Sequence, residues 1–317
     1  MQTLSTEIIK NTILENYVEY QYLFTEFQSK FLSDLYARHQ SLENANLVLY
    51  FAKKTHQDIL RERDYDFNFN ISYKKFWQNH SKIDPKQISI IKIATDTLLP
   101  KETARRKILQ LVKQKVLSKK NRNIGWLPNE QYKQNYNLFT HQEIEDVSRL
   151  IIFLCQKLNY PISREAVTKE IRDKFSFYWF HYLEAQLEYF KICNKQFKDF
   201  DLMFIFLQLT HLFTSKKKQK KLSYKEIYSN PSLLKDFINI SISATSISEV
   251  TKIPRATCVR KLEFLVKLRL ILQDNITKKY YVVPNDVADN LISKKVTEQV
   301  VKNFSNFFFI CLRAIDF

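Results

Sequence analysis

At 317 residues this chain is longer than one ordinary domain needs, and its 50 lysines and arginines against 33 acidic residues leave a formal charge of +17, a field that gathers polyanions. Its single glycine, Gly125, excludes a Gly-rich phosphate loop, and its six histidines and four cysteines show no metal-ligand spacing. No cofactor, metal or catalytic constellation is therefore expected, and the chain does not read as an enzyme.

The first predicted element is a long helix from about Thr6 to Gln40, in which Ile9, Ile13, Tyr17, Tyr20, Phe24, Phe27, Phe31 and Leu35 form one apolar stripe. A second helix runs from about Glu43 to Arg61, followed by an aperiodic connection from Asp64 to Asn70. Three short helices come next, about Tyr73 to Asn79, Gln87 to Asp96 and Lys101 to Val116. Pro100 stands at the start of the third, where a preset φ and a missing N–H cost nothing. Thr97-Leu98-Leu99 before it gives the tight turn of a helix-turn-helix. Ala104, Ile108, Leu111 and Val112 take the inward spacing, leaving Lys101, Thr103, Arg105, Arg106 and Lys113 outside. Val116-Leu117-Ser118, the basic turn Lys119-Lys120-Asn121-Arg122-Asn123, and Ile124-Gly125-Trp126-Leu127 ended by Pro128 read as a β-hairpin. A closing helix is expected from about Glu143 to Leu158.

The same order then repeats. Leu99-Pro100-Lys101-Glu102-Thr103-Ala104-Arg105-Arg106-Lys107 returns as Ile253-Pro254-Arg255-Ala256-Thr257-Cys258-Val259-Arg260-Lys261, and Leu111-Val112-Lys113 as Leu265-Val266-Lys267. Ile71-Ser72-Tyr73-Lys74 matches Leu222-Ser223-Tyr224-Lys225, and Trp126-Leu127-Pro128-Asn129 matches Val282-Val283-Pro284-Asn285. The openings also align, Ser5-Thr6-Glu7 with Ser163-Arg164-Glu165. The matches keep their order along the chain, as a duplicated unit of about 155 residues requires. The second hairpin is read as Leu270-Ile271-Leu272 and Tyr280-Tyr281-Val282-Val283, ended by Pro284, and the second closing helix as about Glu298 to Leu312.

The expected architecture is mainly α, with two tandem winged-helix units related by a pseudo-two-fold, each with long amphipathic helices and a small β-hairpin wing. The first unit spans 1–157, with its helix-turn-helix about 73–117 and wing 118–128. The second spans 158–317, with its helix-turn-helix about 224–271 and wing 272–284.

Cys155, Cys193, Cys258 and Cys311 stand far apart in apolar or helical contexts and read as buried thiols in a reducing cytoplasm. The N-terminus lacks a basic region followed by an apolar block. The most apolar stretch, Leu202 to Phe213, is shorter than the roughly 20 residues a membrane span needs. A cytoplasmic, nucleoid-associated location is expected. The aromatic stripes around Tyr17 to Phe27 and Phe175 to Tyr182 read as core or interface, and the basic run Ser215 to Lys221 as a solvated loop.

A helix entering the major groove reads base edges with residues near its N-terminus. Lys101, Thr103, Arg105 and Arg106, with Arg255, Thr257 and Arg260, occupy those turns. Lys107, Lys113, Lys261 and Lys267 lie further along, placed for phosphates where they face out. The wing cations Lys119, Lys120 and Arg122, and Lys278 with Lys279, would flank the groove. These segments resemble the helix-turn-helix of bacterial winged-helix transcription regulators, and the order of elements is similar to the MarR-type family. The resemblance implies a sequence-specific transcription regulator of double-stranded DNA in which terminal helices hold two reading heads together. Here a single chain would imitate the regulator dimer and bind one imperfect palindrome, its recognition helices about 34–36 Å apart. Further pairing into a homodimer and a small-molecule effector stay open. The alternatives are a tandem winged-helix replication initiator on iterated direct repeats, and a protein-interaction module without DNA affinity.

Overall fold

The computed structural model describes residues 4–84, 88–120, 123–215, 222–229, 241–282 and 291–315. It is mainly helical. The first series comprises α1 (Thr6–Glu15), α2 (Tyr17–His39), α3 (Leu42–Tyr65), a 3-10 turn (Tyr73–Lys75) running into α4 (Phe76–His80), α5 (Ile90–Thr97), α6 (Lys101–Lys113), the hairpin β1 (Ser118–Lys120) and β2 (Asn123–Gly125), and α7 (Glu130–Lys157). The second comprises α8 (Arg164–Asp173), α9 (Phe175–Phe197), α10 (Phe200–Ser215), α11 (Tyr224–Ser229), α12 (Ala244–Thr251), α13 (Arg255–Lys267), the hairpin β3 (Leu272–Gln273) and β4 (Tyr280–Tyr281), and α14 (Leu291–Ala314).

The helix expected as one piece over 6–40 is broken. Asn16 leaves the helical region at φ −109°, ψ 36°, and the Thr12 carbonyl accepts from both its backbone amide at 3.2 Å and its side-chain amide at 2.9 Å. Lys174 breaks α8 from α9 at nearly the same angles, φ −108°, ψ 39°. Element lengths recur along the chain: α1 and α8 are each 10 residues, α2 and α9 each 23, α5 and α12 each 8, α6 and α13 each 13. Serine N-caps recur as well, Ser5 accepting from the Ile8 amide and Ser163 from the Ala166 amide, both at 3.2 Å. The closing helix α7 starts earlier than its apolar end suggested, because Asn129 caps it by accepting from the Tyr132 amide at 2.9 Å.

Two compact packing units form, and they do not follow the sequence division near residue 157. One consists of Met1–Arg38 with Ile192–Phe309, the other of His39–Lys191 with Ile310–Phe317. In the first unit, the Val18 amide donates to the Leu222 carbonyl at 3.2 Å and Tyr17 meets Tyr224 edge to face at 5.2 Å. In the second, the equivalent Ser176 amide donates to the Ile71 carbonyl at 3.0 Å and Phe175 meets Tyr73 edge to face at 5.0 Å. The start of α2 therefore closes on the segment before α11, and the start of α9 on the segment before the 3-10 turn.

The core of the first unit includes Tyr20, Phe24, Phe304 and Phe308, with Phe24 and Phe304 edge to face at 4.8 Å. The core of the second centres on Phe76, which touches Trp77, Trp126, Tyr136 and Phe175. His56 lies stacked on Phe76 at 4.7 Å and edge-on to Phe175, and burial holds its imidazole well below the usual histidine range. His80 donates from Nε2 to the Trp126 carbonyl at 2.5 Å. Burial lowers it to about 4, outweighing the opposite pull of that hydrogen bond. The aromatic stripes read as core are largely buried, as are all four cysteines, which are free thiols.

Candidate nucleic-acid interface

Each unit contains a short helix joined by a tight turn to a 13-residue helix, α5 to α6 and α12 to α13. Ser89 caps α5 by accepting from the Lys92 amide at 3.2 Å, and Leu98 ends it in the left-handed region at φ 53°, ψ 31°. Pro100 then takes φ −56°, ψ 139°, and its carbonyl accepts the first bond of α6 from the Ala104 amide at 2.9 Å. The second repeat does the same with different residues: Ser243 caps α12, Lys252 ends it at φ 62°, ψ 7°, and the Pro254 carbonyl accepts from the Cys258 amide at 3.0 Å. Holding Leu98 or Lys252 left-handed costs about 1–2 kcal/mol, so both turns are kept against local preference by the packing around them.

That packing is inward and apolar. Ala104, Ile108 and Leu111 on α6, with Cys258, Leu262 and Leu265 on α13, are at most 2% exposed. Helix α6 rests on α3 and α5, and α13 on α10 and α12. In the second unit Asn46, on α3, donates to the Thr97 carbonyl at 2.9 Å, and Tyr50 donates to Asp96 at 3.0 Å. These bonds fix the turn onto the supporting helix.

The outward face of α6 is a continuous stripe at three- and four-residue spacing: Glu102, Arg105, Arg106, Leu109, Gln110 and Lys113 are all exposed. On α13 the stripe is Ala256, Arg260, Glu263, Phe264 and Lys267. Lys101 and Arg255 open the two helices and are also exposed. Arg105 lies 3.7 Å from Glu102, and Arg255 donates from Nε to the Thr245 hydroxyl at 3.1 Å. Among the described residues, Arg106 and Arg260 meet no ion-pair partner. Thr103 and Thr257 are half-buried.

Lys107 and Lys261, expected to reach phosphates, turn the other way. Lys107 donates to the Ser41 hydroxyl at 2.9 Å and lies 3.6 Å from Glu43, while Lys261 pairs with Asp199. Ser41 caps α3, and Asp199 accepts from the Leu202 amide at 2.9 Å at the start of α10. Both lysines thus brace the outward helix to the N-terminus of the helix beneath it, with side chains only 14% and 18% exposed. Their spacing from Ala104 and Leu111, and from Cys258 and Leu265, puts them on the inner edge. The same spacing extended outward from Arg105 and Arg106 reaches Leu109 and Gln110, which a count of cations passes over.

The hairpins follow directly. In the first, Ser118 pairs with Gly125, Lys119 with Ile124 and Lys120 with Asn123. Lys119 and Lys120 are exposed, while Arg122 lies outside the described residues. In the second, Leu272 pairs with Tyr281 and Gln273 with Tyr280, and Tyr280 also bridges to Ile242. Lys278 and Lys279 are exposed beside it. The run from Lys216 to Lys221 and Pro284 also lie outside the described residues. Among those described, no cluster of histidine, cysteine and acidic residues is arranged to hold a metal, and no helix is long and apolar enough to cross a membrane.

Cations outnumber acids along both outward surfaces, and the surfaces differ in chemistry: Leu109 and Gln110 on one stand where Glu263 and Phe264 stand on the other. Compared with known proteins, the chain matches no family model, no curated protein and no solved structure, which leaves this geometry to carry any functional reading.

Proposed function

We propose that the chain is a sequence-specific binder of double-stranded DNA, acting as a transcription regulator. In this reading the two helix-turn-helix and hairpin modules are winged helices of MarR-like type. The observation that carries the reading is the recurrence of one device in both units: a proline-started helix with a buried apolar face, an unpaired outward arginine at the same turn, and a lysine-bearing hairpin after it. Helices α6 and α13 would enter the major groove, with Arg106 and Arg260 donating paired hydrogen bonds to guanine O6 and N7. Lys113, Lys267 and the hairpin lysines would contact phosphates. The differing outward faces favour a site with two unlike halves, both read by one chain.

Selection from a random duplex pool, followed by gel shift and footprinting on the recovered sequence, tests this. One chain should protect two adjacent half-sites, and affinity should fall by roughly 10³–10⁵ between 50 and 200 mM salt if about 6–10 phosphates are neutralised. Protection of iterated direct repeats would favour a replication initiator. A second reading has its own support, because Leu109 and Phe264, 48% and 47% exposed, sit within the outward stripes. If no duplex binds at low salt, those faces are protein-docking surfaces.

A further inference from the structure

We propose that the second hairpin carries an apolar wedge, Ile276, that enters a base step of duplex DNA from the minor-groove side and kinks it within one half-site only. The proposal rests on the DNA-binding reading above and adds a mode of distortion to it. Ile276 is 91% exposed at the apex of the segment Asp274 to Lys279 that joins β3 to β4.

The apex is built, not slack. Asp274 accepts at Oδ1 from the Ile276 amide at 3.0 Å, the Thr277 amide at 2.5 Å and the Thr277 hydroxyl at 2.8 Å. Its own amide donates to the Lys279 carbonyl, and its carbonyl accepts from the Lys278 amide, both at 2.9 Å. The acid is thereby occupied inside the turn. At the base, Tyr280 exchanges two backbone bonds with Ile242, at 2.8 and 2.9 Å, and Tyr280 and Val282 are buried.

A β-branched side chain on a turn this constrained has few rotamers and little ordering left to lose on binding. It stands free of any protein surface, with Lys278 and Lys279 exposed two and three residues away to meet the flanking phosphates. Proteins that kink DNA use this combination, an isoleucine, leucine or phenylalanine pressed into a base step beside cations. Flexible pyrimidine–purine steps such as TA yield most easily. The first hairpin is made differently, with only residues 121 and 122 between β1 and β2 and with Lys119 and Lys120 exposed along β1. The two modules would therefore hold DNA by different means.

The test uses the full chain and a 40-bp A·T-rich duplex recovered by selection with the wild-type protein, labelled at both ends for energy transfer and probed with permanganate for unstacked thymines. The wild type should shorten the end-to-end distance and expose one reactive thymine step in the half-site beside the second hairpin. Ile276→Ser should lose both signals while keeping the footprint, and Ile276→Leu should retain them. If the wild type binds without a bend or a reactive step, or if Ile276→Ser keeps both, the wedge is refuted and DNA binding stands. If the wild type binds no duplex at all, the underlying reading fails as well.

Discussion

Replacing His80 by glutamine should remove part of the acid sensitivity of the unit that contains it. His80 is 2% exposed and neutral, its Nε2 donating to Trp126, with a folded value of about 4 against roughly 6.5 for an unfolded histidine. A histidine depressed in this way leaves stability intact above about pH 6.5, and stability is lost as pH falls toward the folded value, because the unfolded chain binds the proton first. Between pH 7 and pH 5 the unfolded imidazole becomes almost fully protonated while the folded one stays largely neutral, a loss of about 1.8 kcal/mol from this group alone. His56, buried between Phe76 and Phe175, shifts in the same direction. All three tryptophans, Trp77, Trp126 and Trp179, lie in this unit, so their emission during urea unfolding reports it selectively. The wild type should lose stability between pH 7 and pH 5, and His80→Gln, which can still donate to the Trp126 carbonyl, should lose about 1.8 kcal/mol less. An unchanged pH dependence in the variant would show that His80 titrates normally and that its burial is not as described.

Arg106→Ala and Arg260→Ala should each cost about 1–3 kcal/mol of binding and relax specificity in one half-site only, as read by selection with each variant; uniform weakening would remove both from base reading. Lys113→Ala should instead weaken all sequences alike and reduce the salt slope by about 1. Lys261→Ala should act on the fold, lowering stability by about 1 kcal/mol through loss of the Asp199 pair, with the salt slope of binding unchanged in gel shifts. The four thiols should resist an aromatic disulfide reagent in the native protein and react together in denaturant: all are buried, and burial raises Cys155 to about 11 and Cys311 further still.

Helices α6 and α13 were legible because their chemistry is local. Three- and four-residue spacing names Ala104, Ile108 and Leu111, and a proline beside a turn marks where α6 and α13 start. The break at Asn16 was not legible, since the apolar stripe passes through it from Ile13 to Tyr17 without losing phase. The first turns of α7 were hidden for a different reason: Glu130-Gln131-Tyr132-Lys133-Gln134-Asn135 is polar apart from Tyr132, its inward face begins with tyrosines rather than aliphatic residues, and the Asn129 cap marks the start. Lys107 shows a third limit. A cation adjacent to an outward arginine is indistinguishable from it by residue type, and one step of about 100° around the helix carries it to Ser41. The choice of partner for α1 and α2 is least local of all, because two repeats offer nearly equivalent surfaces and only the folded chain shows which is used.

That crossed closure ties together stretches far apart in the chain. Cutting the chain near residue 157 would part Val18 from Leu222 and Ser176 from Ile71, so that restoring either contact would require the two fragments to meet and would weaken on dilution. In the intact chain the same contacts are ring closures at fixed effective concentration. Cohesion of this kind sets no demand that the two outward faces be alike, and Leu109 stands exposed on one where Glu263 stands exposed on the other.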